Sequence, residues 1–197
     1  MVALDARHTL NLLAAEPGAK VLDAGCGTGR NLARLRASGV RPFGLDFSFG
    51  MLRVASRNVP GIPLVQADLE AELPFRAGRF SAAVCALIGE HLQKLGFTLA
   101  QLYRSLQPGG TLIFSVYHPD LAEAGKEANF ELDETEYRLG AIRYTVADYL
   151  QMVSDAGFRD PDHFEYKADR QLIDEIPSAE GLLNRRVILA IRARKPN

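Results

Sequence analysis

The stretch K-V-L-D-A-G-C-G-T-G-R, residues 20–30 of this 197-residue chain, restricts its fold more than any other. Val21 and Leu22 are apolar residues of the kind that build a buried strand, and Asp23 closes it. Gly25, Gly27 and Gly29 then turn the chain, and N-L-A-R-L at 31–35 starts a helix. Glycine permits positive φ and lets a ligand approach without meeting a Cβ. A helix start adds unpaired N–H groups and partial positive charge. Strand, glycine turn and helix N-terminus together form a cradle for a nucleotide-like ligand. The dinucleotide fingerprint places its third glycine three residues after the second. Here the spacing is G-x-G-x-G, with Asp23 two residues ahead. A pyrophosphate wants bare amides, whereas an acid before the turn suits a ligand carrying an ammonium group. The spacing therefore disfavours an NAD-dependent oxidoreductase, the reading from a different class.

The rest of the chain continues the alternation. Residues 4–15 read as an amphipathic helix ended by Pro17-Gly18. Strands are expected near 41–47, 62–67, 80–87 and 111–117, with helices at 28–37, 48–57 and 95–107 between them. The nearly continuous apolar run at 80–87 is that of a central parallel strand covered on both faces. Alternating strands and helices imply right-handed crossovers and a parallel sheet. The rhythm breaks at His118. Residues 119–144 exceed an ordinary connection, and loops of that length are functional or disordered. Beyond them, Thr145 caps a helix to Ala156, Gly157 ends it, and strands are expected at 163–167 and 186–194.

At this length the chain fits one α/β domain. No apolar run approaches the ~20 residues needed to span a bilayer, and the N-terminus has no signal-peptide pattern, so a cytoplasmic protein with no membrane partner is expected. Cys26 and Cys85 are too few for a disulfide framework or metal-ligand cluster, so no metal is expected. A net charge of −1 argues against a nucleic-acid partner. One asymmetry stands out: seven acids between Asp120 and Glu136 face Lys126 alone. Such a segment fits a cationic partner or a solvated acidic loop.

Residues 20–30 closely resemble motif I of the class I S-adenosylmethionine (SAM)-dependent methyltransferases, and the resemblance extends over residues 21–110. It implies a doubly wound, mostly parallel seven-stranded sheet of order 3-2-1-4-5-7-6, the last strand antiparallel, with helices on both faces. It also implies SAM as cofactor, with S-adenosylhomocysteine (SAH) as product. Asp23, Gly25, Cys26, Gly27 and Gly29 would line it. Asp46, in G-L-D-F-S, matches the acid that binds the ribose hydroxyls, and Phe47 beside it supplies an apolar contact. A carboxylate accepts charge-assisted hydrogen bonds from two neighbouring hydroxyls; a solvated strand-end acid is the plainer reading. Asp68 and Leu69, in Q-A-D-L-E, take the places that hold the adenine amine and a ring nitrogen, though Asp68 also fits a loop cap. Cys85, Ala86 and Leu87, before I-G-E-H-L, would lie beside the methionine portion. Phe80-Ser81 departs from the family's F-D at the strand's distal end, away from the ligand.

Methyl transfer from a sulfonium depends mainly on alignment, and a general base is needed only for an acceptor protonated at working pH. No obligatory catalytic residue is therefore visible. His91 and His118 leave the fourth and fifth strands at the edge where open α/β sheets bind ligands. They are the candidate catalytic groups, against a packing role for each; His8 and His163 lie elsewhere. Only about twenty residues precede Val21, so closure over the acceptor is assigned to 119–144, a lid-like insertion whose Phe130, Tyr137 and Tyr144, with Tyr117 just ahead of it, would contact the acceptor. The expected activity is methylation of a small organic acceptor; a SAM-binding protein without turnover is the alternative.

Overall fold

The computed structural model describes residues 2–8, 10–123, 129–132, 135–138 and 142–197, without the side chains of residues 2, 3, 6, 122, 123, 129–132 and 135–138. Seven strands form one sheet: β1 (Lys20–Ala24), β2 (Arg41–Asp46), β3 (Leu64–Gln66), β4 (Phe80–Ala86), β5 (Leu106–Tyr117), β8 (Arg159–Lys167) and β9 (Arg186–Arg194). Their order is β3-β2-β1-β4-β5-β9-β8, which is 3-2-1-4-5-7-6 when only the sheet's own strands are counted. β1 runs parallel to β2 and β4, and β9 antiparallel to both β5 and β8. The expected fold is thus the observed one. β6 (Asn129–Leu132) and β7 (Thr135–Arg138) pair separately as an antiparallel hairpin inside the insertion.

Alternation along the strands divides the core. Ala83 and Cys85 of β4 and Leu112 and Phe114 of β5 face α4 (Leu95–Ser105) and α6 (Val146–Asp155), meeting Leu99, Leu102, Tyr149 and Val153. Ala82 and Val84 of β4 point the other way, to Leu35 of α2 (Arg30–Ala37). Both faces of β4 are buried, so its sequence is apolar without a polar alternation. α3 (Phe49–Asn58) closes on the glycine turn through Leu52, beside Cys26, Leu32 and Val59. Ser48 caps it by accepting from the Met51 N–H at 3.3 Å. Thr145 and Asp148 form a reciprocal capping box at the start of α6.

Several expected boundaries shift. The first helix is only α1 (Val2–His8), and a 3-10 turn follows at Leu10–Leu12. Leu4 packs with Leu172 of α7 (Arg170–Glu175) and Ile188 of β9, whereas Leu10, Leu12 and Leu13 pack with Val21 and Leu35. One straight helix cannot present its apolar stripe to both clusters. β5 begins at Leu106 rather than 111, because Leu106 pairs with Phe80 before a bulge restores the register at Ala82 and Thr111. The insertion opens with α5 (Pro119–Glu123), whose Leu121 is only 5% exposed among Leu4, Leu172 and Ile188.

Candidate functional site

The parallel topology brings the C-terminal ends of β1, β2, β4 and β5 to one edge. Backbone hydrogen bonds set the glycine turn against β2. The N–H groups of Gly25 and Cys26 both donate to the Leu45 carbonyl, at 2.7 and 2.9 Å. The Gly27 N–H donates to Asp46 Oδ2 at 2.8 Å, and the Ser48 N–H to Oδ1 at 2.9 Å. Asp46 therefore joins the tip of the glycine turn to the start of α3. Gly27 has φ +51°, and a Cβ placed there would meet no atom within 4 Å. Its surface opens outward, unlike that of Gly29, where a Cβ would stand 3.0 Å from Val59 Cγ2 and 3.3 Å from Ala55 Cβ. Gly29 serves the close approach of α3.

Asp23 lies beneath this turn, 1% exposed, and its Oδ2 has no hydrogen-bond partner. Burial raises its pKa to about 7, the neighbouring Asp46 charge adds to the rise, and a hydrogen bond from the Asn31 side chain opposes it. A buried carboxyl left half-unpaired is costly. A ligand bringing a cation to Oδ2 removes that cost.

Sequence-expected residues separate into those that face the edge and those that support it. Phe47 is 74% exposed beside Asp46. Asp68 Oδ1 accepts from the Glu70 N–H at 2.8 Å, so this residue does cap its loop. Leu69 is buried, and its carbonyl accepts from the Thr98 hydroxyl at 2.9 Å, which leaves its backbone rather than its side chain for a ligand. The Cys26 side chain turns into the cluster of Leu32, Leu52 and Val59, and burial pushes its thiol up to about 12. Cys85 is fully buried in the α4–α6 layer because strand alternation turns it from the neighbouring Ala86. Neither thiol is placed to touch a ligand. Leu87 follows with φ +57°, its N–H donating to the Ser115 carbonyl at 2.8 Å. The next residue, Ile88, covers the turn so closely that a Cβ on Gly25 would stand 2.4 Å from its Cδ1.

The two histidines diverge. His91 lies in a 3-10 turn, Gly89–His91, directly after β4 at this edge. His118 is 1% exposed and engaged at both nitrogens. Its Nδ1 accepts from the Asp120 N–H at 3.2 Å, and its Nε2 stands 3.2 Å from Glu165 Oε1 on β8. Arg186 of β9 joins the same group, 2.7 Å from Asp120 and 3.1 Å from Glu165. This placement argues for a structural pin between β5, α5 and β8 rather than a catalytic group. His118→Gln is expected to lower stability by about 1–3 kcal/mol through the broken buried network, with SAM affinity unchanged within threefold. Urea denaturation beside calorimetry checks both halves; loss of affinity in a stable variant would return His118 to the site.

Of the expected acceptor contacts, Tyr117 packs against the cluster of Leu4, Leu121 and Ile188, and Tyr144 meets the Tyr149 ring edge-on at 5.3 Å. Phe130 and Tyr137 are paired in register across the β6–β7 hairpin, and their side chains lie outside the described residues. Within the lid-like insertion, 124–128, 133–134 and 139–141 lie outside as well. Sequence reading missed Asp5 and Glu90, 2% and 4% exposed at the same edge. Glu90 carried a usable signal: a charged residue inside I-G-E-H-L, immediately after a buried strand. Among the described residues no cluster of ligands for a metal ion occurs, and no helix is long and apolar enough to cross a membrane.

Comparison with known proteins agrees with this geometry. Residues 22–114 match the family described as "Methyltransferase domain". A demethylmenaquinone methyltransferase of Streptomyces avermitilis is 30% identical over 164 residues, 83% of this chain and 64% of that protein. A malonyl-[acyl-carrier protein] O-methyltransferase of Pseudescherichia vulneris is 34% identical over 139 residues, 66% and 55% of the two chains. The chain thus spans roughly half to two thirds of the length of the curated relatives it matches. The crystal structure of an S-adenosylmethionine-dependent methyltransferase from Mesorhizobium loti shares the fold, with TM-score 0.80 over 98% of both chains at 22% identity. Sheet order, glycine turn, strand-end acids and relatives agree: residues 22–114 match a methyltransferase domain, and the chain has the fold of the class I SAM-dependent methyltransferases.

Proposed function

We propose that the chain transfers the methyl group of SAM to a small organic acceptor. The observation that carries this reading is the buried Asp23 with its unpartnered Oδ2, under a glycine turn whose Gly27 faces open space. These residues fit the group. Asp23 would take the ammonium, and Asp46 would accept from the ribose hydroxyls with the lone pairs that its two backbone donors leave. Phe47 would cover the ribose or adenine, Asp68 and the Leu69 N–H would hold the base, and Ala86 and Leu87 would flank the methionine portion. Bound SAM supplies an electrophilic methyl on a sulfonium whose sulfur departs as a neutral thioether. The protein's task is to align the acceptor with that methyl and exclude water.

Closure falls to the β6–β7 hairpin, because Leu121 at one end of the insertion and Tyr144 at the other are packed against the core. The acceptor is a small molecule rather than a nucleic acid, in keeping with the net charge of −1. Calorimetry with SAM, SAH and NAD tests the cofactor, and labelled methyl transfer into a metabolite extract tests turnover. Binding of NAD in place of SAM would overturn the cofactor assignment. SAM binding without any transfer would leave a binding protein.

Asp46→Ala is expected to weaken SAM binding by about 1.5–3 kcal/mol, the range for hydrogen bonds to a charged group. Part of that loss comes from freeing the Gly27 and Ser48 amides that Asp46 holds. Calorimetry on a variant with an unchanged melting curve makes the measurement, and equal affinity would remove Asp46 from the ribose role.

A further inference from the structure

Glu90 is used by none of the roles above, yet it stands at the centre of the edge. It is 4% exposed in the turn that leaves β4. Its Oε1 accepts from the Tyr117 N–H on β5 at 3.4 Å, and its Oε2 is buried with no hydrogen-bond partner. The Glu90 backbone carbonyl accepts from the Ile142 N–H at 2.8 Å, so the chain returning from the β6–β7 hairpin closes on this residue. Ile88, two residues earlier, lies against Gly25. Glu90 therefore sits where the turn after β4 meets the end of β5, through its carboxyl, and the chain returning from the insertion, through its backbone.

The positive group that acts on it is the neighbouring His91. Burial raises the Glu90 pKa; backbone hydrogen bonds and His91 oppose the rise, and Asp5 of α1 adds to it. The Tyr117 and Tyr149 hydroxyls and the Cys85 thiol feel the Glu90 charge in turn. Among the described residues the charged groups that act on it are His91 and Asp5 rather than a Lys or Arg, and no metal-ligand cluster includes it. A buried carboxyl oxygen left without a hydrogen-bond partner destabilises the fold that keeps it. Asp23 has a ligand group in the proposed site; Glu90 carries a second such oxygen, on the side of β5.

We propose that Glu90 is the acceptor-binding carboxylate and that the acceptor is an amine, whose N–H or ammonium group donates to Oε2. The proposal rests on the methyltransferase reading. Asp5 reinforces the selection by extending the negative potential from α1. An alcohol of the same shape brings no positive charge, so the site holds it less tightly. The cofactor's sulfonium is the competing cation, and the test separates the two.

The experiment uses calorimetry on the SAH complex, titrated with propylamine, benzylamine and tryptamine and with the alcohol matching each. At least one amine is expected to bind the wild-type complex tenfold more tightly than its alcohol. In Glu90→Gln, which keeps the shape and the Tyr117 hydrogen bond, that preference is expected to fall below twofold while SAH affinity changes less than threefold. Asp5→Asn is expected to reduce it at least threefold and serves if the first variant fails to fold. The proposal is overturned if no amine outbinds its alcohol, or if Glu90→Gln keeps the preference. It is equally overturned if Glu90→Gln weakens SAM tenfold and spares SAH, because Glu90 would then serve the sulfonium. A wild-type protein that binds neither SAM nor SAH would instead refute the underlying cofactor reading, and the amine proposal with it.

Discussion

Gly27→Val is expected to weaken SAM binding at least a thousandfold, about 4 kcal/mol, since each factor of ten is about 1.4 kcal/mol. Two effects combine. Gly27 sits at φ +51°, where a β-branched residue is strained, at a cost of about 1–3 kcal/mol. The new side chain would also project into the open space that the proposed ligand occupies, since no protein atom lies within 4 Å of a Cβ there. Because that direction is open, the side chain meets no core atom and the fold is expected to survive. Calorimetry with SAM, beside circular dichroism on the same sample, makes the comparison. A folded variant that still binds SAM at micromolar concentration would make the turn a purely structural one.

The second large effect is a pH dependence set by Asp23. Its folded pKa is about 7 against an ordinary value of 3.8, because burial disfavours the charge. The ligand-free folded state then binds a proton that the unfolded chain releases across this window. Stability therefore falls as pH rises from about 4 to about 7 and levels off above, with a slope fixed by the difference in bound protons. At roughly 1.4 kcal/mol per pKa unit the full change is on the order of 4 kcal/mol. Glu90, also raised by burial, pulls in the same direction. Asp23→Asn removes the Asp23 share, so the variant is expected to be more stable than wild type at pH 8 and similar at pH 4.5. Urea denaturation at the two pH values reads this directly, and parallel wild-type and variant curves would count against it. SAM acts in the opposite sense. An ammonium beside Oδ2 favours the ionised carboxyl, so SAM affinity is expected to rise with pH toward about 7, with proton release on binding. Titrations in buffers of differing ionisation enthalpy measure that release.

Much of this site was legible in the chain itself. The G-x-G-x-G turn after a short apolar strand pointed to a strand-to-helix cradle, because glycine takes the positive φ at Gly27 without a Cβ penalty and permits the close approach of α3 at Gly29. The apolar run of β4 reported a strand buried on both faces, and alternating elements led to the parallel sheet and its ligand edge. Such signals are local: φ preference, side-chain period and cap chemistry act within a few residues. Tertiary structure decided what depends on direction and distance. Cys26 and Cys85 stand in the right segments, yet pleat and turn point their thiols into the core. His118 leaves the right strand, yet Glu165 and the Asp120 N–H, brought in by β8 and α5, occupy its ring. Asp5 and Glu90 are 85 positions apart in the chain, and only packing of α1 over the sheet edge lets one charge feel the other. A side chain's burial is a sum over neighbours remote in sequence, and burial is what turns an ordinary carboxylate into one that needs a ligand.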